Sequence, residues 1–445
     1  MEKHTLKRIN IDEIPEPSRR LFDPEVDAVA RSAIETVRLG GESALRKFAI
    51  ELDNLSKDMP LLVSHDEMKA AYDNLPRDTA ALLERTKGRI AAFATAQRAC
   101  YSPLDVPIEP PIGGKPLNSG SDKSRGKYTQ SAQGGRHGHE FVPVARAGCY
   151  APGGAYPLPS SALMTIVPAK VAGVPEVWCA GPKPSRATLA AAWLAGAEGF
   201  LQCGGAHAIA ALAFGVAVPK CDVIVGPGGK YVAAAKRLLF GMVGTEAPAG
   251  PSELLVIADS SADPALVAAD LLAQAEHSPD AMPAFIATDS KIADNIEMEI
   301  ARQLENLPEP NYSIARSALA HGFLCVEPDI ERALEGANRC APEHLELAVK
   351  EPRSLAIHVR NAGALFLGSG SAEVFGDYGV GPNHTLPTSG ASRFAAGLSV
   401  LHFLRARTWI EVDDASRFID DTAAFARLEG LEAHARAAEA RRASR

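Results

Sequence analysis

Residues 219–232 read PKCDVIVGPGGKYV, and this stretch decides the fold. A short apolar run, Asp222–Val225, stops at a turn made of Gly226, Pro227, Gly228 and Gly229. A brief apolar run closed by glycine and proline reads as a buried strand meeting a tight turn. The same texture continues in both directions. Apolar runs recur at Phe141–Val144, Val177–Ala180, Gly199–Cys203, Glu253–Ala258 and Ala284–Thr288. Ala/Leu-rich segments such as Ala187–Ala195 and Ala265–Ala275 lie between them. Strands alternating with helices at this spacing predict parallel sheets with helices on both faces, an α/β fold. Further glycine turns, Ala151-Pro152-Gly153-Gly154 and Cys203-Gly204-Gly205, follow strands. Ligands of such folds are expected at the carboxyl ends of the strands, where these turns sit. No turn spells G-x-G-x-x-G, so the standard dinucleotide fingerprint is absent. The repetition predicts two related βα units without a fixed-period repeat.

Upstream the chain is helical. Val26, Val29, Ala30, Ala33, Ile34 and Val37 recur at helix period within residues 24–51. A second helix opens at Ser64 with Glu67 three residues on, a capping box, and helix resumes after Pro76 to about Ala99. Residues 101–140 change character: proline, glycine and serine crowd together and predict a long irregular loop. Its His137 and His139 invite a metal reading, but two imidazoles in a polar loop are ordinarily just solvated. After Gly390 come Phe394–Leu404 and Thr408–Val412, then one polar, Ala-rich helix from about Ile419 to Arg442. Its weak apolar periodicity predicts docking on another surface, a second subunit among the candidates.

The chain has 445 residues, three times the ~150-residue domain prior, so several lobes are expected. The divisions read as a helical part with its loop over 1–140, belonging to the first lobe. A first βα lobe covers 141–252, a second 253–392, and a small C-terminal domain 393–445. Hydrophobic residues at 46% and charged residues at 22% fit a soluble globular protein. A net charge of −8 lacks the footprint of a nucleic-acid binder. Seven scattered cysteines without a C-x-x-C pair argue against a disulfide framework and a thiolate zinc cage. The first residues contain no secretory apolar core, and no run reaches the ~18 apolar residues of a membrane span. The expectation is a cytoplasmic protein with neither membrane nor nucleic acid as partner.

Several residues could carry chemistry. Gln274 and His277, three apart at the end of a helix, can reach one ion, although Q-x-x-H alone is a weak signal. Glu343 and His344 follow Pro342, which reads as a helix start; adjacent helical residues point ~100° apart and could serve two tasks at one site. Glu343 in a first helical turn also has a plain structural reading. Asp377 and His384 share a glycine-rich loop that a polar surface turn would equally explain. Glu429 and His434 lie on the polar last helix, where solvent exposure is the ordinary state. Ser252 lacks a nucleophile-elbow context, which discounts a serine hydrolase. Together these residues are the equipment of a metal-assisted acid–base enzyme.

The assembled segments resemble the histidinol dehydrogenase family, in unbroken order from about 140 to 435. The matching strings are CYAPGGAYPLPSS (149–161), VPAKVAGV (167–174), GGAHAIAALAFG (204–215), PKCDVIVGPGGKYV (219–232), APAGPSELLVIAD (247–259), LLAQAEH (271–277), APEHLEL (341–347), GDYGVGPNHTLPT (376–388) and LEGLEAHARA (428–437). The resemblance implies a homodimer whose two large lobes are incomplete Rossmann-like, doubly wound units. A small C-terminal helical domain would be swapped onto the partner. It implies one Zn²⁺ held by Gln274, His277 and Asp377, with His434 supplied in trans, and oxidation of L-histidinol to L-histidine with two NAD. His344 would be the general base and Glu343 would activate water, while Ser160, Ser252, His384 and Glu429 match substrate-contacting positions. Tyr150, His207 and Gly229 match NAD-contacting positions. At two of these the chain departs from the family, which usually carries Gln at His207 and Asn at Gly229. Relatives of similar sequence oxidise other small polar alcohols, such as sulfopropanediol. That, or an impaired NAD site, is the alternative reading.

Overall fold

Two sheets of one design emerge from these runs in the computed structural model, which describes residues 6–14, 23–108, 134–153, 157–247 and 250–443. Across the first sheet the strands run Leu62–Ser64, Gly199–Leu201, Glu176–Ala180, Arg146–Tyr150, Val223–Val225 and Gly244–Thr245. Only Leu62–Ser64 pairs antiparallel. Across the second they run Lys7–Ile9, Phe323–Val326, Met282–Ala287, Glu253–Ala258, His344–Ala348 and Ala364–Leu367, all parallel. In each sheet the βα run begins in the fourth strand named, steps outward to one side, then resumes on the other. Each sheet also takes an extra edge strand from the N-terminal region. That repeated order is the relation between βα units that the sequence texture implied.

Strand Glu253–Ala258 shows why the runs are nearly continuous in apolar residues. Leu254, Val256 and Ala258 enter one buried cluster, while Leu255 and Ile257 enter another on the opposite face. A parallel strand covered on both faces has no polar side to show. Each such Leu, Val or Ile contributes roughly 1.5–3 kcal/mol by leaving water. Helix Pro264–Ala275 begins as its sequence dictates, with the Asp263 carboxylate accepting from Ala265 N–H at 2.9 Å and proline in the first turn.

Two compact units divide the chain: Met1–Arg98 with Pro143–Phe403, and Ala99–Val142 with Leu404–Arg445. Both six-stranded sheets belong to the first unit. The second unit holds a three-stranded sheet in the order Leu404–Glu411, Arg136–Pro143, Leu104–Pro107, and helices Ile419–Leu428 and Glu432–Glu439 packed through Ala423, Ala426 and Ala435. Among the described residues no helix is long and apolar enough to cross a membrane.

Several expectations change. Phe141–Val144 does not open the parallel sheet; most of it ends a strand of the second unit, and Arg146–Tyr150 opens the sheet instead. Its Ala147, Gly148 and Cys149 are small, and at Gly148 a Cβ would already stand 3.0 Å from Leu212, so bulky strand formers are sterically barred there. Residues 101–140 are not wholly irregular, because Leu104–Pro107 pairs antiparallel with the start of Arg136–Pro143 and puts His137 and His139 in a strand. The centre of that stretch, 109–133, lies outside the described residues. His344 opens a strand rather than a helix: Ala341, at φ 50°, ends helix Ile330–Cys340 and turns the chain into the sheet. The terminal helix is two helices, broken where Gly430 adopts φ 78°. Lys7–Ile9 joins the second sheet, so residues 1–140 do not all serve the first lobe.

Candidate functional site

Two neighbouring strands of the second sheet, Glu253–Ala258 and His344–Ala348, pair with Leu254 opposite His344. That register sets Ser252 and Glu253 beside Glu343 and His344. Ser252 Oγ–H donates to Glu343 Oε2 at 2.7 Å, and Glu253 N–H donates to the same oxygen at 3.0 Å. Burial pushes the Glu343 carboxyl up to about 8, against the pull of these two hydrogen bonds. His344 is 2% exposed, with Nδ1 3.0 Å from the Glu253 carbonyl oxygen. A carbonyl only accepts, so Nδ1 carries a proton toward it. Nε2 stands 3.5 Å from Glu373 Oε1. Glu373 is buried, neither of its oxygens has a hydrogen-bond partner among the described residues, and burial raises its carboxyl to about 7.

Helix Pro264–Ala275 ends beside the same place. Gln274, in its last turn, is fully buried, and neither amide atom finds a partner among the described residues. An unsatisfied buried amide costs roughly 1–3 kcal/mol, which a ligand for its oxygen would offset. His277 lies just past the helix end, with Nε2 3.1 Å from Asp377 Oδ2. Its ligand atoms and those of Glu373 and Asp377 all fall within 4.8 Å of one another. The hydrogen bond to Asp377 raises His277 to about 9. Burial would lift the Asp377 carboxyl, yet the hydrogen bond from His277 and the nearby imidazoles hold it below its ordinary value. Two carboxylates and an imidazole gathered this closely form a donor set that could hold a divalent cation, and the partnerless Gln274 amide lies three residues before His277.

His384 completes this side, with Nδ1 3.2 Å from the Asp377 carbonyl oxygen and Nε2 3.4 Å from Ser161 Oγ. Burial lowers its pKa, which favours the neutral ring. Ser160 sits next to Ser161 in the first turn of helix Pro159–Ala172. Ser160, Ser252, His277, Glu343, His344, Asp377 and His384 all line one cavity of about 190 Å³. A second, of about 580 Å³, shares Gly228, Gly250, Ser252 and His277 with it and extends along Gly229 and Lys230. The smaller suits a small polar molecule, while the larger has room for part of a long one.

The two sheets present opposite ends to these cavities. Pro227 and Gly228 follow the carboxyl end of Val223–Val225, as the α/β rule expects. Ser252, His277 and Glu343 instead precede the amino ends of strands in the second sheet, which the rule does not anticipate.

Of the remaining expected residues, Gly229 lines the larger cavity and the others line neither. Tyr150 is buried and accepts from Gly205 N–H at 3.2 Å, and burial pushes its phenol to about 12. His207 is also buried, with Nε2 2.9 Å from Asp53 Oδ2 and its ring stacked on Phe48. Gly229 opens helix Lys230–Leu239 at φ −64°, with open space where a Cβ would stand. Glu429 and His434 belong to the second unit, Glu429 in the turn between its helices and His434 on the last one. Glu373 escaped the sequence reading, although its place one helical turn before Asp377 was a usable signal. Asp53, Lys236 and Glu246, buried behind the glycine turns, had no such signal.

Buried acids and imidazoles, a group of side chains able to hold a cation and a small cavity between two α/β sheets define an enzyme acting on a small polar molecule. The family model described as histidinol dehydrogenase matches residues 17–442. The chain is 43% identical to the histidinol dehydrogenase of Thermus thermophilus over 425 residues, covering 95% of this chain and 96% of that protein. It is 42% identical to that of Synechococcus over 428 residues, covering 94% and 92%. A crystal structure of histidinol dehydrogenase from Elizabethkingia anophelis covers 100% of this chain and 99% of its own, at 30% identity and a TM-score of 0.87. The chain therefore belongs to the histidinol dehydrogenase family and is an oxidoreductase.

Proposed function

We propose that the chain oxidises L-histidinol through its aldehyde to L-histidine, the last oxidations of histidine biosynthesis, with two NAD as acceptors. The observation that carries the reading is the convergence of Glu343, His344, His277, Asp377, Ser252 and His384 on one small cavity. In the first oxidation His344 Nε2 would take the hydroxyl proton as the alcohol carbon gives up a hydride to NAD. In the second, the aldehyde would take up water, its oxygen receiving the proton held by His344; the hydrate would then give a hydride to a second NAD and a hydroxyl proton back to His344, leaving an acid that ionises to the carboxylate. Glu343 takes the proton of that water, helped by the Ser252 hydroxyl and Glu253 N–H that steady its carboxylate.

Gln274, His277 and Asp377 would hold a zinc ion, with His434 and Glu429 brought by a second copy of the chain in a domain-swapped dimer. When bound, zinc supplies a Lewis acid that orients the substrate's imidazole and amine. The buried, partnerless Gln274 amide supports a ligand there. The first sheet, read as an incomplete Rossmann-like unit, would receive NAD along its glycine turns near Tyr150, His207 and Gly229, and the cavity beside Gly229 supports this.

The test is NADH formation followed by absorbance with L-histidinol, with and without a chelator. Two NADH per alcohol, abolished by chelator and restored by zinc, is expected. Turnover with sulfopropanediol and none with histidinol would overturn the substrate. His434→Ala is expected to lower zinc content, and unchanged stoichiometry would refute the ligand in trans.

A further inference from the structure

Two glycine turns of the first sheet carry the positions assigned to the cofactor, and both are held from behind. Gly226 sits at φ +125°, where a Cβ would meet the Tyr150 carbonyl oxygen at 2.1 Å. Its N–H donates to Glu246 Oε1 at 2.7 Å, and its carbonyl accepts from Lys236 Nζ at 2.8 Å. Lys236 Nζ and Glu246 Oε1 are 2.6 Å apart, with side chains 4% and 3% exposed. One buried ion pair thus fixes both polar groups of this residue. Neither side chain lines either cavity.

The turn at Gly204 repeats the arrangement. Gly204 N–H donates to Asp53 Oδ2 at 2.8 Å, and His207 Nε2 meets the same oxygen at 2.9 Å. In both cases the basic side chain comes from the helix that follows the turn, Lys230–Leu239 or Gly205–Phe214. The carboxylate comes from another segment. A buried ion pair is a poor source of stability, because desolvation offsets its attraction. What it does better than apolar packing is dictate the direction of a single N–H or C=O.

We propose that Lys236 and Glu246 are positioning residues for the dinucleotide, setting the Gly226–Gly229 turn in its receiving shape before the cofactor arrives, and that Asp53 and His207 do the same for Gly204 and Gly205. The proposal rests on the reading that NAD lies along these turns. A turn ordered in advance avoids an ordering cost on binding and so strengthens it. His207 then acts through Asp53, which reconciles a histidine with a position where relatives usually carry glutamine, since either side chain can donate to that carboxylate.

The test is steady-state kinetics of Lys236→Met in the full-length protein, varying NAD and alcohol separately. The KM for NAD is expected to rise about tenfold or more, with kcat and the KM for alcohol within about twofold and metal content unchanged. Glu246→Gln keeps an acceptor for Gly226 N–H and is expected to give a smaller rise in the same direction. A merely structural pair would reduce the active fraction, and so kcat, while leaving the KM for NAD in place; that result overturns the proposal. Should Lys236→Met fail to fold, Glu246→Gln decides by the same criterion. His207→Ala is expected to raise the KM for NAD, and an unchanged KM would overturn the role given to Asp53 and His207 at the Gly204 turn. Failure of the underlying reading looks different, since the unmodified protein would then neither turn over NAD nor bind it by calorimetry.

Discussion

The two six-stranded sheets share a strand order yet divide the work. The first offers the carboxyl ends of its strands, where glycine turns expose backbone and keep their buried charges out of sight behind them. The second offers amino ends, where Ser252, Glu343 and His344 bring side chains to one point through strand register. One topology thus supplies a backbone cradle in one half and a titrating cluster in the other. The difference teaches that strand order alone does not locate chemistry. It is the end of the sheet left free by neighbouring segments that does.

If that division is right, variants of the second sheet act on kcat and variants of the first on cofactor KM. The largest effect is expected for His344→Asn, a loss of about 10²–10⁴ in kcat, read in initial rates with folding checked by circular dichroism. Glu343→Gln is expected to spare the first oxidation and slow the second, so that free aldehyde or one NADH per alcohol accumulates. Equal loss in both steps would remove Glu343 from water activation. Gly226→Ala should raise the KM for NAD and lower stability by roughly 1–3 kcal/mol in urea unfolding, because its φ suits no other residue. An unchanged KM would detach that turn from the cofactor.

A smaller effect concerns Glu346, on the same face of its strand as His344. Burial raises its carboxyl to about 9, with Asp270 beside it adding to the shift. The unfolded chain ionises this group near ~4.3, so stability is complete below that pH and declines as pH climbs toward about 9. Glu346→Gln is expected to flatten that decline by roughly 1–3 kcal/mol, seen by comparing urea midpoints at about pH 5 and about pH 8. A decline of the same slope would show that the carboxyl titrates normally. The least effect should follow Gly229→Asn, with stability within about 0.5 kcal/mol and a modestly lower KM for NAD, since the position has open space and an ordinary φ.

Much of this was legible in the sequence wherever pattern and local chemistry agreed. The capping box at Ser64, the strand at Glu253–Ala258 and the helix after Asp263 needed no tertiary information. Seven of the residues that line the small cavity were named, His277, Glu343, His344, Asp377 and His384 on chemistry alone and Ser160 and Ser252 through family resemblance. What failed depended on contacts distant in sequence. Arg146–Tyr150 hid because close packing around Gly148 demands small residues, which weakens the apolar signal. His344 was taken for a helix because Pro342 suggests one, while the left-handed Ala341 that redirects the chain carries no glycine to announce it. His207 was assigned to the cofactor by its motif, and its partner Asp53 is visible only once the chain has folded.

The strand Lys7–Ile9 has a further meaning. It emerges early during synthesis yet pairs with Phe323–Val326, which is made much later. Helix Pro24–Glu51, between them in sequence, packs into the core of the first sheet. Lys7–Ile9 thus belongs to one sheet, the segments after it build the other, and the rest of the first-named strand's sheet follows them. Until Phe323–Val326 has been made, Lys7–Ile9 lacks the neighbouring strand with which it pairs.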